Sequence, residues 1–175
     1  MNLLREFQEV FDPKLPVERA NVEPMRIVFH DGFTEQPSNA FRRYTPAVQA
    51  AMETEVAAQL EAGLIEEAPD APNPAAVVMV KKPDSVTGYR FTVDYKAKNK
   101  GIVLDPFPLP NPQDMIDECA KARWKAKLDL RSGYWQFLLD PDDLDKTAFQ
   151  VGTRRYHYRV VPWGYRLARS IFSAR

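Results

Sequence analysis

Residues 75–95 have the sequence AAVVMVKKPDSVTGYRFTVDY, and this stretch decides the fold. Residues 75–80 are apolar and partly β-branched, which is typical of a buried strand. In residues 90–95 apolar residues alternate with polar ones, and the residues between the two runs have the composition of a turn. The sequence therefore predicts an antiparallel hairpin with Lys81, Lys82 and Arg90 at its basic tip.

A helix is predicted ahead of this hairpin. Thr45 offers an N-cap hydroxyl, Pro46 suits the first helical position, and Gly63 suits the end of a helix. Between them an apolar face repeats at four-residue spacing, at Val48, Met52, Val56 and Leu60. Near the start of the chain, residues 3–11 predict a short amphipathic helix and residues 26–29 a strand-like run.

Helix and strand patterns alternate after the hairpin. An Asn-Pro pair begins a predicted helix at residues 111–122, whose apolar face is formed by Met115, Ile116 and Cys119. Residues 124–130 predict a strand, and residues 147–151 and 156–161 predict a second hairpin. This order of elements predicts an α+β fold with helices packed on a mainly antiparallel sheet.

Composition excludes several classes of protein. The 24 Lys and Arg residues balance the 24 Asp and Glu residues, so any contact with a nucleic acid must come from local clusters of charge. Cys119 is the single cysteine, and no Cys/His cluster has zinc spacing, which indicates a reducing, intracellular and cytoplasmic setting or a retroelement particle. No apolar run approaches the ~20 residues that span a bilayer, so no membrane partner is expected.

Asp129 is the candidate for metal chemistry. It follows Leu128 at the end of a predicted strand, where a carboxylate is presented at the strand's exit. Mg²⁺ prefers carboxylate oxygen and is usually held by one or two carboxylates together with substrate phosphates. The alternative is that Asp129 merely begins the turn that Ser132 and Gly133 continue.

Other titratable residues receive structural interpretations. Residues 140–145 contain four acidic side chains, and the adjacent pair Asp142 and Asp143 follows Pro141 with no strand of apolar residues leading into it. This pattern predicts a solvated acidic turn and the start of a helix. His30 and His157 show no partner pattern and are expected to be ordinary strand or loop residues.

Six short segments carry a resemblance to a known family. Residues 93–100 (VDYKAKNK) and 127–136 (KLDLRSGYWQ) resemble two segments of the reverse transcriptase domain of gypsy-type LTR retrotransposons, and the second resembles its first catalytic motif. Further segments match in the same order: 61–65 (EAGLI), 106–110 (PFPLP), 146–149 (KTAF) and 161–164 (VPWG). Six segments in the same order are strong evidence for the resemblance, whereas one segment alone would be weak evidence.

The resemblance implies a right-hand polymerase. It assigns residues 45–175 to the fingers and the first half of the palm, and residues 1–44 to an N-terminal lead-in segment. It also marks two departures: residues 165–172 lack the family's Asn and Pro, and Lys98 puts a charge where the family often buries an apolar side chain.

The resemblance also implies roles for individual residues. Asp129 matches the catalytic, metal-binding aspartate, with the Leu130 carbonyl as a lesser metal contact. Lys82 and Arg90 match positions that hold the triphosphate of the incoming nucleotide, and Tyr134 matches the aromatic beneath its sugar. From the residues alone, Lys82 and Arg90 suit a solvated hairpin tip equally well, and Tyr134 suits burial in the core.

The implied reaction is nucleotidyl transfer from a deoxynucleoside triphosphate to a primer 3′-hydroxyl on an RNA or DNA template, with Mg²⁺ or Mn²⁺. One aspartate is too few for this chemistry. The family's second Asp pair is expected downstream of residue 175, which predicts that the fragment is inactive alone and that the strand bearing Asp129 has an unpaired edge.

A second hypothesis comes from a different class. The chain would then be a non-catalytic retroelement remnant that binds nucleic acid or a protein partner through its basic hairpin and through Arg154 and Arg155.

Overall fold

The computed structural model describes residues 3–7, 19–35, 42–103, 111–127, 129–130 and 132–166. Its helices are α1 (Leu3–Glu6), α2 (Pro46–Glu61), α3 (Lys96–Asn99) and α4 (Pro112–Lys121), and 3₁₀ helices cover Gly133–Gln136 and Pro141–Thr147. Its strands are β1 (Ile65–Glu67), β2 (Ala75–Lys81), β3 (Tyr89–Val93), β4 (Phe149–Val151) and β5 (Arg154–Tyr158). No helix in these ranges is long and apolar enough to cross a membrane.

The strands form one mixed sheet in the order β1-β5-β4-β2-β3. Both predicted hairpins are confirmed, because β2 pairs antiparallel with β3 and β4 pairs antiparallel with β5. The predicted α+β fold with a mainly antiparallel sheet is confirmed as well. Sequence analysis missed β1, which adds to the edge of β5 with Ile65 opposite Tyr158.

The parallel pairing of β2 with β4 joins the two hairpins. Ala75 lies opposite Phe149 and Ala76 opposite Gln150. Phe149 is fully buried at this junction, and its ring lies 5.6 Å from that of Phe91 on β3 and 5.3 Å from that of Tyr158 on β5, centroid to centroid. One aromatic side chain therefore packs against strands from both hairpins, which makes them parts of a single core.

The helix predicted ahead of the first hairpin is confirmed as α2. The Thr45 hydroxyl accepts a hydrogen bond from the Val48 N–H at 3.5 Å, and Gly63 follows the helix with a φ of +62°, which glycine adopts without strain. Met52 and Val56 of the predicted face are buried, as is the polar Gln59. Gln59 is tolerated there because its Oε1 accepts a hydrogen bond from the Tyr158 hydroxyl at 2.9 Å.

Helix α4 has the predicted bounds and an exposed apolar face. The Asn111 side chain caps the helix by accepting from the Gln113 N–H at 3.0 Å. Met115 and Ile116 are 55% and 60% exposed, and Cys119 is exposed too. No residue of α4 is buried, so the described part of the chain does not cover this face.

The strand predicted at residues 124–130 is wrong for the described residues of that segment. Residues 125–127 and 129–130 have no regular secondary structure, and Trp124 is 82% exposed. A strand requires a neighbour with which to exchange backbone hydrogen bonds, and no described strand pairs with these residues. Of the helix predicted at residues 3–11, α1 covers Leu3–Glu6, and Phe7 is a turn residue. Residues 8–11 lie outside the described residues, as do residues 106–110.

The prediction of a solvated turn at residues 140–145 is correct as to the helical start and wrong for Asp143. A 3₁₀ helix does begin at Pro141, but the Asp143 side chain is only 1% exposed. One carboxylate oxygen lies 2.5 Å from Lys146 Nζ, and the other accepts from the Ile27 backbone N–H at 2.7 Å.

The strand-like run predicted at residues 26–29 is an extended segment. Isolated bridges join this segment to the rest of the fold, one between Met25 and Leu139 and one between Phe29 and Ile102.

Lys98 is buried at a position where the family often has an apolar side chain, and it pairs with Glu35. Its side chain is 6% exposed, and Nζ lies 2.7 Å from Glu35 Oε2, whose side chain is 17% exposed. The ion pair replaces the apolar contact with a charge-assisted hydrogen bond between α3 and the segment that contains Glu35.

Buried tyrosines hold the centre of the fold together. The Tyr95 hydroxyl donates to the Thr147 carbonyl oxygen at 2.8 Å, the Tyr165 hydroxyl donates to the Lys146 carbonyl oxygen, and the two rings lie 4.4 Å apart. Burial raises the pKa of Tyr95 and Tyr165 well above the ordinary value, and it raises the pKa of Tyr158 as well. All three phenols are therefore neutral in the folded chain well above pH 10.

Replacing Asp143 with Ala should lower the free energy of unfolding by about 3 kcal/mol, because it removes the charge partner of the Lys146 ammonium and leaves the Ile27 N–H without its acceptor. Asp142→Ala in the same turn is the control, because its side chain is exposed and its loss should cost less than about 0.5 kcal/mol. Urea denaturation followed by circular dichroism measures both. Equal effects of the two substitutions would contradict a structural role for Asp143.

Stability should also fall in alkali. Because the native pKa of Tyr95 is raised, the unfolded chain loses this phenolic proton first, and stability is complete below pH ~10 and declines as the pH rises toward the native pKa. The slope should reach about 1.4 kcal/mol per pH unit for each such tyrosine. Urea midpoints between pH 9 and 11.5 measure it, and Tyr95→Phe should flatten the decline. A midpoint that is constant across this range would refute the account.

Candidate functional site

A cavity of about 570 Å³ lies between α2, the β2–β3 hairpin and residues that follow in the chain. Glu55 and Gln59 of α2 form one side, and Lys82, Ser85 and residues 89–93 of the hairpin form another. The remaining wall is aromatic apart from one glycine, and consists of Trp135, Tyr158, Trp163 and Gly164. This is a space with cations on one wall and rings on the other.

Lys82 and Arg90 stand on one face of the hairpin. Val80 is opposite Arg90 in the ladder, and alternation along a strand places Lys82 on the same side as Val80. Both side chains are exposed and both residues line the cavity. Among the described residues no carboxylate pairs with either of them, although ten ion pairs form elsewhere in this part of the chain. Two cations thus remain available to an anionic ligand.

The hairpin tip is held in place by several hydrogen bonds. The Lys82 N–H donates to the Gly88 carbonyl oxygen at 2.9 Å, and the Ser85 hydroxyl lies 2.8 Å from the Tyr89 carbonyl oxygen. Thr87 ties the turn to α2, because its hydroxyl donates to Glu55 Oε1 at 2.9 Å. These contacts fix the backbone beneath both cations while their side chains stay exposed.

Tyr134 is connected to the cavity through the ring of Trp163. Tyr134 lies on the 3₁₀ helix Gly133–Gln136 and is partly buried. Its burial is therefore intermediate between the two alternatives from the sequence, a core residue and a residue that contacts the sugar. Its ring packs edge-on against Trp163 with the centroids 4.6 Å apart. Trp163 in turn lines the cavity and is 53% exposed. The role of Trp163 was missed in the sequence, although VPWG was recognised as a family landmark.

Asn99 is a second residue that sequence reasoning missed. It ends α3, and its side-chain amide donates to the Gly164 carbonyl oxygen at 2.8 Å and accepts from the Arg166 N–H at 2.9 Å. The loop that carries Trp163 is therefore tied to the segment that follows β3. Asn99 lies inside the resembling segment at residues 93–100, which was the available signal.

Asp129 and Leu130 are not among the residues that line the cavity. Both are exposed, and the residues on either side, Leu128 and Arg131, lie outside the described residues. In the described part of the chain no three His, Cys, Asp or Glu side chains are grouped closely enough to hold a metal ion. The structure thus brings Lys82 and Arg90 together and links Tyr134 to them through Trp163, without joining Asp129 to this group.

The arginines at the other hairpin are engaged in structural contacts. Arg155 donates from Nη1 to the Ala71 carbonyl oxygen at 3.1 Å, and Arg154 lies 3.6 Å from Glu67. On the same strand the two ring nitrogens of His157 lie 2.8 Å from carboxylate oxygens of Asp145 and Glu66. His157 is a strand residue as predicted, with partners that the sequence did not indicate.

Two solved structures of foamy viral protease-reverse transcriptases share this fold. The crystal structure of prototype foamy virus protease-reverse transcriptase matches with a TM-score of 0.81 at 20% sequence identity, over 98% of this chain and 22% of that chain. A foamy viral protease-reverse transcriptase in complex with double-stranded DNA matches with a TM-score of 0.71 at 20% identity, over 90% of this chain and 26% of that one. The predicted polymerase fold is confirmed.

A family model described as reverse transcriptase (RNA-dependent DNA polymerase) matches residues 80–174, more than half of the chain. The chain belongs to this family. The resemblance found in the sequence is confirmed, and the relatives described next fit its assignment to gypsy-type retrotransposons.

The relatives are largely polyproteins. The retrovirus-related Pol polyprotein from transposon 297 of Drosophila melanogaster is 32% identical over 123 residues, which are 69% of this chain and 12% of the polyprotein. An RNA-directed DNA polymerase homolog of Oenothera berteroana is 37% identical over 83 residues, which are 47% of this chain and 58% of the homolog. The chain therefore spans a minor part of the polyproteins that it matches.

Proposed function

We propose that this chain is the nucleotide-binding portion of an RNA-directed DNA polymerase, with residues 45–175 as its fingers and the first half of its palm. The reaction is transfer of a nucleotidyl group from a deoxynucleoside triphosphate to the 3′-hydroxyl of a primer. One observation carries the proposal. Lys82 and Arg90 lie together, exposed and without a described carboxylate partner, on the cationic wall of a cavity in a reverse transcriptase family member.

The two cations suit a triphosphate for different reasons. The ammonium of Lys82 is a compact point charge, and the planar guanidinium of Arg90 can bind two phosphate oxygens at once. The chain has no net charge, so this local pair rather than the bulk field would attract the anion. The opposite, aromatic wall then faces the nucleoside.

Tyr134 is proposed to lie beneath the sugar and to select deoxyribose over ribose. Its ring supports that role together with Trp163, because the two rings pack edge to face at the cavity wall. We propose that this pair of rings excludes the 2′-hydroxyl of a ribonucleotide.

The metal would be held at Asp129. Members of the family generally use divalent metal ions. The exposed Asp129 carboxylate and the Leu130 carbonyl are hard oxygen donors, which fit Mg²⁺ or Mn²⁺ in chemical type. When bound, the ion supplies positive charge to the reacting phosphate. A single carboxylate is too few for two metals, so we propose that further carboxylates come from polypeptide beyond residue 175 and that this chain is inactive without them.

The proposed partner is a primer annealed to an RNA or DNA template. The foamy viral relative in complex with double-stranded DNA supports a duplex as ligand.

The test is primer extension on an RNA template with Mg²⁺ and deoxynucleotides. We expect no extension by the 175-residue chain. A fusion of the chain to the segment that follows the matched region in the transposon 297 polyprotein should extend the primer, and Asp129→Ala in the fusion should abolish extension. Asp84→Ala at the exposed hairpin tip is the matched control, because its carboxylate lies in the turn and does not line the cavity.

Extension that survives Asp129→Ala would remove Asp129 from the catalytic site. If neither the chain nor a well-folded fusion extends a primer while the chain still binds duplex in a gel-shift assay, the second hypothesis of a non-catalytic remnant would replace the polymerase.

A further inference from the structure

Asn99 fixes the loop at residues 163–166, which is distant from it in the chain. Its side chain makes one donated and one accepted hydrogen bond, to the Gly164 carbonyl oxygen at 2.8 Å and from the Arg166 N–H at 2.9 Å. The amide side chain can make both bonds at once, because it carries a donor and an acceptor on separate atoms side by side. The two contacts bracket Tyr165 and lie directly after Trp163.

Both ends of this loop have further restraints. Gly164 has a φ of +92°, and a Cβ built there would lie 3.5 Å from the Val93 carbonyl oxygen, so the loop runs close along the end of β3. The Tyr165 ring is buried against Tyr95 at 4.4 Å, and its hydroxyl donates to the Lys146 carbonyl oxygen. Trp163 is the exposed member of this restrained segment, and it projects at the cavity wall.

We propose that Asn99 is a positioning residue for nucleotide binding: it holds Trp163 as the aromatic wall against which the nucleoside part of a deoxynucleoside triphosphate packs. The inference rests on the proposed function of the same cavity. Apolar and stacking contacts of a nucleoside with an indole ring do not require a charge, so this wall acts on the sugar and base while Lys82 and Arg90 act on the phosphates.

The division of labour has a measurable signature. The affinity for a ligand that has the phosphates without the nucleoside should not change when Asn99 is replaced. The affinity for a nucleotide should fall. A displacement of Trp163 would also displace Tyr134, because the two rings are in edge-to-face contact with their centroids 4.6 Å apart. A loop released from Asn99 would therefore disturb both rings and leave the hairpin cations in place, since the hairpin tip is held by Thr87, Glu55 and its own backbone.

The experiment is isothermal titration calorimetry of the 175-residue chain with two ligands, dTTP and inorganic tripolyphosphate, each with Mg²⁺. In Asn99→Ala, which removes both hydrogen bonds, the Kd for dTTP should rise about 5–10-fold, and the Kd for tripolyphosphate should stay within about twofold. Asn99→Asp keeps the acceptor for Arg166 and loses the donor to Gly164, so its Kd for dTTP should fall between those of the wild type and Asn99→Ala.

Asn111→Ala is the matched control. It also removes an asparagine side chain that accepts from a backbone N–H, at the start of α4, and it should leave both affinities unchanged. Amide hydrogen exchange at Arg166 gives a second readout, and it should be faster in Asn99→Ala and protected in Asn99→Asp.

The outcomes separate the two proposals. A wild-type chain that binds neither ligand would overturn the proposed function and this inference with it. A wild-type chain that binds dTTP, with Asn99→Ala weakening both ligands equally or neither, would overturn the positioning role alone. Equal wild-type affinity for dTTP and tripolyphosphate would also overturn it, because the aromatic wall would then contribute nothing.

Discussion

The parallel pairing of β2 with β4 holds the two hairpins of this structure in one sheet. It consists of two residue pairs, Ala75 with Phe149 and Ala76 with Gln150. Without it, the first hairpin would be an isolated two-stranded ribbon, which is marginally stable in water. With it, the hairpin becomes the edge of a five-stranded sheet, and its basic face lies across a cavity from α2 and from the aromatic residues near Trp163. The small side chain of Ala75 leaves room for the fully buried ring of Phe149 opposite it in the ladder.

Sequence predicted the elements whose signals are local. The α2 helix has its cap, its proline and its apolar face within one segment, and each hairpin has its two strands and its turn within about twenty residues of sequence. Elements that depend on distant partners were predicted less well. β1 is three residues long and exists because β5 pairs with it, and the segment at residues 124–130 has strand composition without a described partner. Asp143 has the sequence of a solvated acid and is buried, because Lys146 and the distant Ile27 N–H satisfy it.

In the candidate site, too, the residues with local sequence signals could be predicted, and the contacts between distant residues could not. Lys82 and Arg90 could be placed on one face from the strand period and given a role from the family resemblance. Asn99 and Trp163 could not be connected, because their relation passes through a loop contact between residues far apart in the chain. Lys98 shows that a departure from the family pattern can be accommodated by a single partner, Glu35, that no short motif contains. Asp129 received its role from the resemblance, and its exposed position leaves that role a proposal.

We propose that the Lys82 and Arg90 face of the hairpin holds the triphosphate of a nucleotide. It is tested most directly by the equilibrium Kd of the chain for dTTP with Mg²⁺, measured for the wild type and for Lys82→Ala, Arg90→Ala and Lys81→Ala. Hydrogen bonds to charged groups contribute about 1.5–3 kcal/mol, so the first two substitutions should each raise the Kd at least about tenfold. Lys81 is on the same hairpin, one residue away, and does not line the cavity, so Lys81→Ala should change the Kd less than about twofold. Equal losses from Lys81 and Lys82, or binding that ignores Arg90, would contradict the account.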